Sequence, residues 1–250
     1  MVEALGPELS APATWRATDG PLPDGELMAL FQSTDDLTKW AHYLAVYEKA
    51  LQPFRGRPIR MLEIGVARGG SLQMWRRYLH PGSVIVGIDI DPACRRFDDP
   101  QRNVHVRIGG QQDVAFLREV TREFGPFDVI LDDGSHMTSH MVESFRELFP
   151  NALVDGGVYL VEDIHSNYWT AQRDSAMSFI DFTKWLIDAM HAHYQEADGE
   201  PDFRVGHPQR RHEFTVPLAA VLVDHVEFHD SIAVVYRAQG RRELPRSLYR

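Results

Sequence analysis

Met61-Leu62-Glu63-Ile64-Gly65-Val66-Ala67-Arg68-Gly69-Gly70-Ser71-Leu72 reads as an apolar strand, a glycine turn and the start of a helix. Residues without Cβ tolerate positive φ and let a ligand or another backbone come close, which is what such a turn requires. The pattern is G-x-x-x-G-G, not the G-x-G-x-x-G of a pyrophosphate-binding turn. It therefore disfavours a nicotinamide dinucleotide and suits a nucleoside whose tail is an amino acid. Asp89 closes the next apolar run, 24 residues after Gly65. That is close to the interval at which a carboxylate accepts hydrogen bonds from ribose hydroxyls. Each feature alone signifies only a turn; on consecutive βα units, in this order, they favour a nucleoside pocket. Glu63, Gly65, Gly69 and Asp89 are its candidate residues. Gln111, after a third strand, stands where an adenine edge would lie, although a polar loop explains it equally well.

Working outward, strand-like and helical patterns alternate. Strands are expected at 59–64, 84–90, 104–108, 128–131 and 157–161, and helices at about 71–79, 115–124, 139–148 and 175–193. The strands are continuously apolar, as parallel strands buried on both faces should be. Two β-rich runs, 218–228 and 232–236, are separated only by His229-Asp230-Ser231, which favours a hairpin. The sum is a doubly wound α/β sheet closed by one reversed strand. Before it, residues 26–52 read as a helix with Ser33 and Thr34 as caps, and 1–25 as a loosely draped arm. Residues 1–57 are thus expected to form an arm and helical lid, and 58–250 the nucleoside-binding domain. In helix 175–193 the inward stripe is expected to be Phe179, Phe182, Trp185, Leu186 and Met190.

The second informative pair is Ile130-Leu131-Asp132-Asp133-Gly134-Ser135-His136 and Leu160-Val161-Glu162-Asp163-Ile164-His165. Both start apolar and end in carboxylates and a histidine, at the strand ends where ligands of open α/β sheets bind. Neighbouring strands lie about 4.8 Å apart, so these two tips can converge on one ion. Asp133, Glu162 and Asp163 form an all-oxygen set suited to Mg²⁺ or Mn²⁺. Glu162 and Asp163 point to opposite faces of a strand, so both reach one ion only if the chain leaves extended geometry there. His136, three residues after Asp133, is a base near neutral pH; His140 and His165 are placed to orient their neighbours.

The composition narrows the function classes. With 36 acidic and 26 basic residues, the net charge of −10 argues against gripping a phosphate backbone. The single cysteine, Cys94, excludes an internal disulfide and points to the cytoplasm. No leader or membrane-spanning run is visible. A homo-oligomer is compatible with the sequence.

The motifs E-I-G-V-x-x-G-G-S-L-x-M-W-x-x-Y, G-I-D-I-D-P, D-D-G-S-H and Y-L-V-E-D-I-H-x-x-Y-W resemble those of class I, magnesium-dependent sugar O-methyltransferases that use S-adenosylmethionine. The resemblance spans roughly residues 34–170. It implies a Rossmann-like sheet of order 3-2-1-4-5-7-6, Mg²⁺ on Asp133, Glu162 and Asp163, and His136 as general base. It also implies cofactor contacts from Glu63, Gly65, Gly69, Asp89, Gln111 and Asp132, and a sugar or glycosylated natural product as acceptor. The loop after the third strand departs from the family's G-D-Q, being Gly109-Gly110-Gln111, which leaves the adenine contacts open. Two rival readings keep the residues: an iron oxygenase using His136, Asp133 and His165, and a non-catalytic nucleoside-binding module.

Overall fold

The computed structural model describes residues 2–15, 20–194 and 215–245. Seven strands form one sheet in the order β3-β2-β1-β4-β5-β7-β6. They are β1 Arg60–Ile64, β2 Val84–Asp89, β3 Val104–Ile108, β4 Phe127–Asp132, β5 Leu153–Val161, β6 Val223–His229 and β7 Ile232–Arg237. The first five pair in parallel, and β7 runs antiparallel to both β5 and β6. The single reversed strand is as the sequence indicated.

The helices are α1 Val2–Leu9, α2 Glu26–Gln32, α3 Ala41–Leu51, α4 Gly70–Tyr78, α5 Val114–Phe124, α6 Thr138–Asn151, α7 Phe179–Met190 and α8 Leu218–Leu222, and all but α1 contribute to the cores on the two faces. The strands' period of two sorts their side chains into two cores. Met61, Ile85, Val129, Leu131, Val158 and Leu160 pack with Tyr43, Tyr47, Leu51 and Trp75 of α3 and α4. Leu62, Ile64, Val86, Ile130, Tyr159 and Val161 pack with Phe145, Leu148, Phe179 and Phe182 of α6 and α7.

Four local expectations change. The segment read as one helix over 26–52 is two, because the chain turns between Gln32 and Ala41, with Asp36 at φ 57°. Ser33 and Thr34 close α2 instead of opening α3: both hydroxyls donate back to the Leu30 carbonyl, at 3.1 and 2.6 Å. Trp185 is exposed because, at about 100° per residue, it falls about 90° away from the middle of the face set by Phe179, Phe182 and Leu186. The run at 218–228 begins as the short helix α8 before entering β6. The arm also carries a helical stretch, α1, broken at Gly6; residues 1 and 16–19 of the arm lie outside the described residues.

Candidate active site

The turns after β1 and β4 press against each other, and Gly65 makes this approach feasible. Its φ is 93°, and a Cβ there would stand 2.1 Å from the Asp133 carbonyl oxygen. The Asp133 amide in turn donates to the Ile64 carbonyl at 2.9 Å. Gly65→Ala is expected to cost about 3 kcal/mol or more, combining a left-handed alanine with a backbone collision. Urea denaturation measures it; a loss below about 1 kcal/mol would mean the turns are not locked together.

Beside this junction lies a cavity of about 200 Å³, lined by Gly65, Ala67, Asp89, Ile90, Gln111 and Gly134 among others. Asp89 accepts from the amides of Val66 (2.8 Å), Ala67 (2.9 Å) and Asp91 (2.8 Å). Burial pushes its pKa up, but these three amides outweigh burial and hold the carboxyl below its ordinary value. Asp89 is therefore an ionised acceptor that also shapes the β1–α4 turn.

Other candidates stand behind the cavity wall. Glu63 is fully buried and faces α4, accepting from Ser71 Oγ (2.9 Å) and Trp75 Nε1 (3.1 Å), with burial pushing its carboxyl up to about 7. Gly69, at φ 79°, starts α4, where a Cβ would meet the Phe97 ring. Asp132 is buried, its pKa raised by burial to about 6, and accepts from Gln111 Nε2 (3.0 Å) and Ser144 Oγ (2.9 Å). Gln111 spends its other end on the Ser135 amide at 2.7 Å. Its amide thus braces the β4–α6 turn while the residue itself lines the cavity.

At the tips of β4 and β5, Asp133, His136 and Asp163 each offer a ligand atom within 4.8 Å of the others. His136 Nε2 lies 3.8 Å from Asp133 Oδ1 and 3.6 Å from Asp163 Oδ2. Both His136 (φ 56°) and Asp163 (φ 53°) are left-handed, a conformation uncommon outside glycine and frequent at functional sites. The chain does leave extended geometry at Asp163, and both acidic neighbours line one cavity, each held differently. Asp163 joins His136, while Glu162 turns into the protein, 1% exposed. Tyr43, buried in α3, donates its hydroxyl to Asp163 Oδ1 at 2.8 Å and fixes that side chain.

Lys39 is the residue that sequence reading missed. From the turn between α2 and α3 its ammonium bonds Asp133 Oδ2 and reaches both Glu162 oxygens, at 2.7 and 3.0 Å, with a side chain 2% exposed. Burial opposes its charge, but Glu162 and Asp133 outweigh burial and raise its pKa. Burial and Asp133 push the Glu162 carboxyl up, while Lys39 pulls it down. These tendencies oppose one another, and two contacts within 3.0 Å decide for an ion pair. The only signal in the sequence was an excess of carboxylates at one edge that called for a cation. Trp40 is 57% exposed at the rim, edge-on to His165, which is edge-on to Trp169. A cavity of about 300 Å³ opens between Trp40, Lys39, Tyr43 and the three carboxylates. His140 receives or gives a hydrogen bond at Ser135 Oγ (2.8 Å), steadying the same turn.

A family model described as a methyltransferase domain matches residues 62–164. Over 141 residues the chain is 30% identical to the ribosomal RNA large subunit methyltransferase E of Syntrophobacter fumaroxidans, covering 50% of this chain and 70% of that protein. The chain belongs to the class I methyltransferases. This methyltransferase is also 39% identical over 177 residues to an 8-demethyl-8-alpha-L-rhamnosyl tetracenomycin-C 2'-O-methyltransferase of Streptomyces olivaceus, covering 65% of this chain and 46% of that one. Its fold is similar to that of MycE, a methyltransferase from the mycinamycin biosynthetic pathway solved in complex with Mg and SAH. The TM-score is 0.71 at 27% identity, over 88% of this chain and 56% of that one. The methyltransferase spans about half the length of the curated sugar O-methyltransferases that it matches. Its strand order is the one expected for class I, and its cavity and acidic cluster both lie at the carboxyl edge of the sheet.

Proposed function

We infer that the protein is an S-adenosylmethionine-dependent, magnesium-dependent O-methyltransferase acting on a sugar hydroxyl of a natural product or nucleotide sugar. One observation carries the reading: Asp133 belongs both to the cavity that holds Asp89 and to the Asp133–His136–Asp163 cluster. A methyl donor in the first and a hydroxyl held at the second would meet at that residue. The tetracenomycin and mycinamycin relatives support the acceptor class.

The residues fit both groups. Gly65 and Asp89 make a close-walled nucleoside cradle, with Gly69, Glu63, Asp132 and Gln111 supporting its turns. Asp133 and Asp163 offer hard oxygen donors of the kind Mg²⁺ prefers. Glu162 completes the proposed carboxylate set from the protein side, where Lys39 holds it. Bound there, magnesium would orient and polarise an acceptor hydroxyl, and the sulfonium cofactor would supply the methyl group. His136 takes the hydroxyl proton through Nε2, and the neighbouring carboxylates of Asp133 and Asp163 stabilise the imidazolium that results. Tyr43 keeps Asp163 in place while this happens. Trp40, Tyr168 and Trp169 offer the exposed apolar wall for the rest of the acceptor.

Residues 1–57 serve as the cover of this site, through Lys39, Trp40 and Tyr43, and 58–250 as the cofactor-binding domain. Among the described residues no helix is long and apolar enough to cross a membrane. The lone buried Cys94 suits the cytoplasm. The iron reading fits poorly: His165 gives Nδ1 to Ser231 Oγ and is absent from the cluster, leaving one histidine with two carboxylates.

The test is transfer of a labelled methyl group from S-adenosylmethionine to a panel of rhamnosyl and other deoxysugar glycosides. Activity should vanish on chelation and return with Mg²⁺ or Mn²⁺; full activity in chelator, or recovery only with iron and oxygen, would overturn the reading. S-adenosylhomocysteine should raise the melting temperature by mass action, and Asp89→Ala should remove most of that rise. An unchanged shift in Asp89→Ala would mean that the cofactor binds elsewhere.

A further inference from the structure

At the opposite edge of the sheet, before the amino ends of β2 and β3, lies a second depression of about 540 Å³. Its wall carries Arg55, Arg76, Arg77 and Arg102, a concentration of positive charge on a chain whose net charge is −10, with His80 beside them. Arg55 pairs with Glu26 at 2.7 Å. Among the described residues, Arg76, Arg77 and Arg102 pair with no carboxylate; neutral acceptors hold them instead. Arg76 donates to the carbonyls of Ser83 and His80, both at 2.5 Å, Arg77 to Ser33 Oγ at 2.9 Å, and Arg102 to Gln73 Oε1 at 2.8 Å.

This arrangement is costly as it stands. Arg76 is 9% exposed, and burial, then the charge of Arg102, lowers its pKa. Like charges drawn together in a concave wall repel, and the field between them is focused outward into the depression. Among the described residues, Arg55 Nε is buried without an acceptor, a further donor left unsatisfied. Arg55 donates to the Tyr78 carbonyl at the end of α4, at 3.5 Å, and Arg76 to that of His80 just beyond it, so these two oxygens face guanidinium groups and not an incoming anion. Planar guanidinium forks fixed by backbone contacts match tetrahedral oxyanions and need little further ordering to bind them.

We propose that this depression is a binding site for a phosphate-type oxyanion, remote from the methyl-transfer site and independent of it. The phosphoryl group comes either free, as pyrophosphate, or borne on a nucleoside diphosphate.

Thermal shift and ³¹P nuclear magnetic resonance titrations with pyrophosphate, against chloride at matched ionic strength, test the proposal, with adenosine diphosphate as the second arm. Wild-type protein should show saturable binding. Arg102→Glu, at an exposed position, should weaken it by roughly tenfold or more, while Arg102→Gln weakens it less. Both variants should keep their response to S-adenosylhomocysteine, which also shows that they fold. Tighter binding of adenosine diphosphate than of pyrophosphate identifies the nucleotide as the source, and equal binding the free anion. Non-saturable binding by wild type, or equal affinity in Arg102→Glu, overturns the site. So does binding confined to single-stranded RNA, which would make the patch a nucleic-acid surface.

Discussion

His136→Ala is expected to lower methyl transfer by about 10²–10⁴-fold, the usual loss for a positioned acid–base group. The expectation follows from Nε2 facing the carboxylates of Asp133 and Asp163 at 3.8 and 3.6 Å, close enough for electrostatic support yet outside direct hydrogen bonding. The same geometry allows imidazole to act as a metal ligand, so turnover alone does not assign the role. Mn²⁺ affinity, followed by electron paramagnetic resonance, separates the two. As a base, His136 can be removed with the affinity for Mn²⁺ and S-adenosylhomocysteine largely retained, whereas Asp163→Ala should lose metal binding. His136→Asn keeps a hydrogen-bonding group but cannot take a proton, so it should be as impaired as alanine. Loss of Mn²⁺ affinity in His136→Ala reassigns the imidazole as a ligand. Near-wild-type turnover in both variants removes it from the chemistry.

Lys39→Met is expected to destabilise the metal-free protein by about 3–5 kcal/mol, because it leaves buried carboxylates without their cation. Glu162, 1% exposed, bears most of this cost, since Asp133 retains some access to solvent. The loss should depend on pH with a definite sign. Without the ammonium, the main influence holding the Glu162 carboxyl down is gone, and burial and Asp133 push it up further. The folded variant then keeps a proton that the unfolded chain has lost, so its stability falls as pH rises through the folded pKa. Denaturation at about pH 5 and about pH 8 should therefore show the larger loss at the higher pH. Added Mg²⁺ should recover part of it by supplying another cation at the same carboxylates. A loss under about 0.5 kcal/mol at both pH values, typical of a surface substitution, would show that Lys39 does not balance the site.

Much of this fold is written locally. The apolar runs ending at Ile64, Asp89, Asp132 and Val161 carry the period and length of doubly buried strands, and Gly65 marks the turn where only a residue without Cβ fits. D-D-G-S-H and E-D-I-H declare their chemistry by residue type, because strand ends in such sheets are where ionisable groups meet ligands. These features depend on neighbours within a few positions, so a sequence displays them directly.

What the sequence withheld depends on register and distance. Lys39 reaches Asp133 across 94 positions and Glu162 across 123, and no local pattern encodes a bond of that span. The break between α2 and α3 follows from it, since a continuous helix read over 26–52 lacks the turn that carries Lys39 to the sheet edge. Gln111 and Asp132 suit a ligand contact by type, but no local pattern shows that Gln111 Nε2 bonds Asp132 across 21 positions and its oxygen the Ser135 amide across 24, so that the residue lining the cavity also braces the turn after β4. Strand alternation put Glu162 and Asp163 on opposite faces and left open whether both reach one cavity, as they do in the fold. The left-handed turn at Asp163 and the hydroxyl of Tyr43 decide it, through a backbone conformation held in place only by the assembled tertiary structure.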